Sequence, residues 1–416
     1  MRVVEEIEGI QLGENVRSRL AWLGERILWG GFCIMVLFLP TSESAKNIGF
    51  GLALLGGLIQ GAASGGFSLA AWRRVPLLPF LLAWLAAASL STWYAIHPPQ
   101  SLRGLWDVLR YSSAYLLAAA SLSDENRRLW FARLTAVGIG AGLLWAGWAL
   151  IHGQGHGGFA EMRLQVRSLG FPNQTATSLI IYAALFFGIL RFSPPARPAD
   201  RVLLGTVFGF SIIGLILTGS RGGWVAAAAA SLVIAAATSK RPLAAAGSVV
   251  LILVLVTGGL AVVAPGRAER LLSIASPQKV VQMQERFDTW KAGLKIVGDA
   301  PIFGIGLKNM AYIQYDRYDF EGRPDHAHNH FLNVLIETGE AGFAVFTVLL
   351  GAIAWRLVRL RSSTGAARTY WVAAAGAFLA ILVQGLVNIS FHVEPALLLM
   401  TMLGGMEGAR TGERAA

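Results

Sequence analysis

The chain has 416 residues, 55% of them hydrophobic and 14% charged, with a mean hydropathy of +0.55 and a formal charge of +11. Soluble globular domains carry about 25% charged residues, so this composition excludes them and points to a polytopic membrane protein. The positive charge is distributed by position along the chain and reports topology rather than nucleic-acid binding.

Residues 4–23 mix apolar and charged positions at partly helical spacing, which predicts an interfacial helix; Glu5, Glu6 and Glu8 ahead of the first apolar run argue against a cleavable signal peptide. Apolar windows of about 20 residues, each able to cross a hydrocarbon core of roughly 30 Å, then predict about twelve transmembrane helices. They fall near 27–42, 48–70, 76–96, 105–122, 130–151, 174–192, 202–219, 222–238, 243–264, 329–356, 370–389 and 395–409. Cys33, the only cysteine, lies in the first span, so no intramolecular disulfide forms. The eighth span, GGWVAAAAASLVIAAAT, is rich in small residues and reads as a buried packing helix.

Most of the 35 Lys and Arg lie at one set of alternate span ends, from Arg2, Arg17, Arg19 and Arg26 through Arg73 and Arg74 to Arg410 and Arg414. The positive-inside rule makes those ends, and both termini, cytoplasmic. The domain layout is then a cytoplasmic segment at 1–26, spans one to nine over 27–264, an extracytoplasmic loop domain at 265–327, spans ten to twelve over 328–409 and a tail at 410–416. Within the loop domain, KVVQMQERFDTWKAGLKIV sets Val280, Met283, Phe287, Trp290 and Leu294 at helix-face spacing with Arg286 on the flank. Such a helix lying on the membrane surface aims Arg286 at headgroup level. The chain has no internal repeat, Walker loop, GxSxG elbow or HExxH motif.

Chemistry concentrates where the loop re-enters the membrane, in DHAHNHFLNVLIETGEAG from Asp325 to Gly342. His326, His328 and His330 beside Asp325 offer metal-ligand types, but alternate residues of a helix starting near His328 diverge by about 200° and do not face one ion. His326 and His330 read as interfacial polar residues. His328 opens the apolar helix beside Asn329, and the partial positive charge of a helix N-terminus keeps its ring neutral, the form a general base needs. Glu337 is a carboxylate within or near a span, costly unless it is paired or faces a polar cavity.

Arg221, in the turn TGSRGGW, lies on the outer side against the charge rule, together with Arg163, Arg167, Arg286, Arg103 and Arg110. Guanidinium groups match phosphate oxygens, so outward arginines point to an anionic ligand such as a lipid diphosphate. In GFPNQTATSL, Asn173 and Gln174 supply amides where Pro172 starts a helix. Gln384, Asn388, His392 and Glu394 bring polar groups to the same end.

The hydropathy layout, the large outer loop before the last three spans, GFPNQTA, TGSRGG, ERFDTWKAGLKIVGDAPIFGIGL and HNHFLNVLIETGEAG together resemble the O-antigen ligase (WaaL) family, within a wider group of O-antigen polymerases and bacterial O-oligosaccharyltransferases. His328 to Gly339 fits the family's pattern of His, ten residues and Gly, whereas Trp290 stands where its Arg-x3-Leu pattern after Arg286 has Leu. The resemblance covers most of the chain. It implies an all-α, GT-C-like glycosyltransferase of the bacterial inner membrane, with a mostly helical periplasmic loop domain and a periplasmic site. It implies transfer of preassembled O-antigen from undecaprenyl diphosphate to lipid A-core, with no metal, nucleotide or other cofactor. His328 is then the catalytic base. Arg221, Arg286, Arg163 and Arg167 bind the diphosphate, and Asn329, His326, Glu337, Asn173 and Gln174 are supporting or acceptor-side candidates. The competing readings are an O-antigen polymerase, a protein O-oligosaccharyltransferase and, in another class, an anion transporter. Polar residues at span ends, rather than midplanes, favour interfacial chemistry over transport.

Overall fold

The computed structural model describes residues 2–64, 75–154, 163–263, 277–318, 320, 322–391 and 393–415. Among these residues the fold is helical, without a strand. In chain order the helices are α1 Arg2–Phe38, α2 Glu43–Ser64, α3 Leu78–Trp93, α4 Pro98–Ser121, α5 Glu125–Ile151, α6 Pro172–Phe192, α7 Pro198–Leu217, α8 Arg221–Thr238, α9 Pro242–Val263, α10 Pro277–Asp299, α11 His330–Arg359, α12 Gly365–Gly385 and α13 Val393–Ala415. Proline opens α4, α6, α7, α9 and α10, where its missing N–H costs no helical hydrogen bond. Asp124 caps α5 by accepting the Arg127 N–H at 2.9 Å, and Ser220 caps α8 by accepting the Gly223 N–H at 3.1 Å.

Every expected span falls on a helix, but among the described residues nine helices are long and apolar enough to cross a membrane. Helix α3 is apolar and only 16 residues long, while α4 and α13 do not meet that standard. Polar and charged side chains such as Asp107 and Arg110 in α4, and Glu394 and Glu407 in α13, dilute their apolar runs. The segment 4–23 is part of α1 and runs into the first span instead of forming a separate interfacial helix. Arg73, Arg74, His392 and the loop residues 265–276 lie outside the described residues.

Helices α6 and α12 form the centre, each with 78% of its apolar window buried, and α8, α7 and α13 pack around them. Helix α8 corrects the sequence reading. Only 22% of its window is buried, through the stripe Gly223, Ala226, Ala230 and Ile234, which meets α12 and, at Gly223, Ala176 of α6. Its small residues provide close approach on one face and leave the other to lipid. The α1–α2 hairpin uses the same device: a Cβ on Gly31 would lie 2.3 Å from the Ala53 nitrogen, and one on Gly56 2.1 Å from that of Leu28.

Contacts between helix ends define two ends of the bundle. At one end, Ser193 meets Thr369 at 2.8 Å, Arg368 donates to the Ala237 carbonyl at 2.7 Å and Arg356 to Glu407 at 2.6 Å. The helix ends bearing Arg127, Arg191, Arg197, Lys240, Arg361 and Arg410 gather there. At the other end, Lys46 meets Glu394 at 2.7 Å, the His97 N–H meets Asn309 Oδ1 at 2.7 Å and Arg163 meets the Thr218 carbonyl at 2.7 Å.

At this second end α10 packs on α11 through Ala292, Gly293 and Ile296, and a small apolar cluster joins them to Ile305, Met310, Tyr315, Ala327 and Ile336. The segment 277–329 therefore shares its core with the start of α11. The exposed face of α10 carries Met283, Phe287 and Leu294, three of the residues in the expected apolar stripe. Helix α11 is broken at Gly339, with φ 65° and ψ −174°. Residues 301–306 fill the break: the Pro301 and Ile302 carbonyls accept from the N–H groups of Glu340 and Ala341 at 2.7 and 3.2 Å. In the other direction the N–H groups of Ile305 and Gly306 donate to the carbonyls of Ile336 and Glu337 at 3.1 and 2.9 Å. The backbone groups orphaned by the break are thus satisfied. A Cβ on Gly339 would lie 2.4 Å from the Ile302 oxygen, so both positive φ and close approach require glycine there.

Candidate functional site

Between the outer segment and the ends of α2, α3, α4, α6, α11 and α13 lies an open cavity of about 740 Å³. It is built around the loop 325–329. The Ala327 carbonyl accepts the Trp290 indole N–H at 2.7 Å, and the Ala327 N–H donates to Asn333 Oδ1 at 3.1 Å. Asn329 caps α11 by accepting the Leu332 N–H at 3.1 Å, so the helix begins at His330, two residues later than the sequence suggests. These anchors hold His328 at φ 49°, a left-handed conformation that costs a non-glycine residue about 1–3 kcal/mol and recurs at functional sites.

Trp290 pins α10 to the loop, and Arg286 one turn earlier is thereby brought to His328. The charges bearing on His328 are those of His326, Arg286 and Asp325. Burial first, then His326 and Arg286, push its imidazole down to about 4, so the ring is neutral at pH 7. Burial also lowers the proton affinity of the Arg286 guanidinium, with nearby Arg221 adding to the effect. The Asp325 carboxyl is held below the usual carboxylate range, chiefly by its hydrogen bond with His326.

His328, His326, Arg286, Arg167, Glu337, Asn173 and Gln174 all line the cavity. Arg221, Arg163 and Asn329 do not. Arg221 stands at the start of α8 beside Arg286. Arg163 bridges the Thr218 carbonyl and Asn173 Oδ1, at 2.7 and 3.0 Å, and Asn173 also accepts from Ser220 at 2.9 Å. Gln174 accepts the Phe171 N–H at 3.0 Å where Pro172 starts α6. Glu337 is buried, facing the Asn333 side chain and the Lys308 backbone N–H. His330 is a second correction: it is buried among Phe331, Phe346 and Phe391 instead of standing at the interface. Among the described residues no three His, Cys, Asp or Glu side chains are grouped to hold a metal ion.

The far wall carries charges that the sequence reading left without partners. Lys46, 1% exposed, bonds Glu43 and Glu394 at 2.8 and 2.7 Å, and Glu43 also accepts from Ser168 at 2.9 Å. Asp107 bridges Arg110 and Lys308, while Arg110 reaches Asn47 at 2.6 Å. Their sequence signals were the i, i+3 pairs Glu43/Lys46, at the start of α2, and Asp107/Arg110, within α4. Asn388 and Glu394 line the cavity as well. Gln384 instead donates to Ser220 Oγ at 3.3 Å.

No curated protein matches this chain significantly. Residues 206–347, which carry Arg221, Arg286, the three histidines and the broken helix, match the family model described as O-Antigen ligase. Over that stretch, which is less than half of the chain, the sequence is similar to the O-antigen ligase family.

Proposed function

We propose that the protein is an O-antigen ligase that moves a preassembled O-antigen from undecaprenyl diphosphate onto lipid A-core. The observation that carries this reading is a cavity holding a neutral imidazole, His328, with two arginines, Arg167 and Arg286, that among the described residues meet no carboxylate. The family match supplies the saccharide chemistry.

In this reaction an acceptor sugar hydroxyl gives its proton to His328 as its oxygen attacks the anomeric carbon. The bond from that carbon to the diphosphate oxygen breaks on the opposite face, which inverts the anomeric centre. Arg286 and Arg167, with Arg221 beside them, hold the negative charge on the departing diphosphate in the role a metal ion fills elsewhere. Arg163 acts at one remove, by fixing Asn173 in the wall. The proton on His328 then passes to water.

The arginine-rich helix ends on the far side give the orientation. They face the cytoplasm of the inner membrane, and the cavity opens to the periplasm. Twelve spans follow when α3, α4 and α13 cross with the nine longer helices, and both termini are then cytoplasmic.

The test is incubation of the purified chain with undecaprenyl-diphosphate-linked O-antigen and rough lipopolysaccharide, in EDTA and without ATP, beside His328→Ala. Capped lipopolysaccharide from wild type, reduced on the order of 10²–10⁴-fold in the variant, is the expected result. Lengthened lipid-linked glycan in place of capped lipopolysaccharide would identify a polymerase, and equal rates in both proteins would remove His328 as the base.

A further inference from the structure

Among the described residues the ring nitrogens of His328, the atoms that would take the proton, have no hydrogen-bond partner. A general base is usually oriented by a carboxylate bonded to its other nitrogen. Here the carboxylate stands one ring further away. Asp325 accepts from Nδ1 of His326, and the His326 ring rests against the His328 ring with centroids 4.2 Å apart and planes inclined at 58°. The bond to Asp325 makes Nδ1 the protonated nitrogen of His326 and fixes that ring.

We infer that His326, clamped by Asp325, is a positioning residue that sets the orientation of His328 by ring contact. The inference rests on the reading of His328 as the base. Both ring nitrogens of His328 are then left to substrate and water, and the base is aimed by packing alone. Among the described residues the charged and titratable groups facing His328 are Asp325 and His326 from its own loop and Arg286 from α10, with Arg221 next to Arg286. Two of these, His326 and Arg286, disfavour a proton on His328, and Asp325 favours it.

The two contributions separate by substitution. His326→Phe keeps a ring against His328 and removes the imidazole's electrostatic effect and its bond to Asp325; His326→Ala removes the ring as well. Misplacing a reacting group by about 1 Å costs on the order of 10²-fold, so His326→Ala should lose about that much kcat at pH 8 with the donor KM unchanged. His326→Phe should recover most of that loss, within about threefold of wild type. It should also move the acid limb of kcat/KM to higher pH, because His328 then gains a proton more readily. A parallel readout needs no turnover: diethyl pyrocarbonate modifies neutral imidazole, and peptide mass spectrometry follows its reaction with His328 across pH. His328 should stay reactive well below pH 6 in wild type and lose reactivity at a higher pH in His326→Phe. Wild-type rates in His326→Ala, a Phe variant as impaired as Ala, or an unmoved pH profile would each overturn the inference. Absence of transfer by wild type would count against the proposed reaction alone, since the carbethoxylation profile still decides whether His326 acts on His328.

Discussion

The ion-paired arginines at one end of the bundle and the two that line the cavity at the other keep different company. At the cation-rich end Arg133 makes two bonds of 2.8 Å to Asp200, Arg356 two of 2.6 and 2.7 Å to Glu407, Arg410 joins the same carboxylate at 3.0 Å, and Arg127 pairs with Glu25. In the cavity Arg167 and Arg286 meet no carboxylate among the described residues, and Asp325, the acid beside His328, is bonded to His326 instead. A paired guanidinium joins helices; an unpaired one in a half-buried cavity is a cost until an anion arrives. The first group joins helices, and under the proposed function the second is the pair that holds the diphosphate.

The strongest attempt to break this contrast is Arg286→Ala. Transfer should fall on the order of 10²–10³-fold, with Arg286→Lys recovering only part of it because ammonium lacks the planar fork. Unchanged donor affinity and turnover in steady-state assays would return Arg286 to the architectural class. Glu407→Ala probes the opposite end. It strands Arg356 and Arg410 and should cost about 3–5 kcal/mol in detergent unfolding, while transfer per folded molecule stays near wild type. Full stability with lost transfer would mean that the two ends do not divide the labour in this way. The smallest effect is expected for Trp290→Phe, which removes the 2.7 Å bond to Ala327 at about 1 kcal/mol and loosens the His328 loop without touching either arginine class. Its kcat should drop about fivefold, and no change in kcat would free the loop from α10.

The helices were legible because apolar runs of membrane length are a one-dimensional signal, and each expected span lies on a helix. Whether each crosses the bilayer was less legible, since α4 and α13 mix apolar runs with charges whose partners lie far off in sequence, such as Glu394 with Lys46 across 348 residues. The small residues of α8 were misread because they signal close approach and say nothing about how many faces are covered. Around the site, His328 and Arg286 were singled out from chemistry and spacing, and both line one cavity. The cap made by Asn329 and the aromatic burial of His330 were not seen, because both depend on where a helix begins to within two residues. The insertion of residues 301–306 into α11 was out of reach, being made by backbone groups that every residue has.

That break in α11 also settles a question of length. Thirty unbroken residues would run about 45 Å at 1.5 Å per residue, well beyond a hydrocarbon core of roughly 30 Å. Glu340 to Arg359 reaches across by itself. The nine residues His330–Thr338 are surplus to the crossing and free to take their own direction. Asn333 and Glu337 can thus line the cavity while remaining, along the chain, part of a membrane helix, and a buried carboxylate beside the site does not have to be submerged in acyl chains.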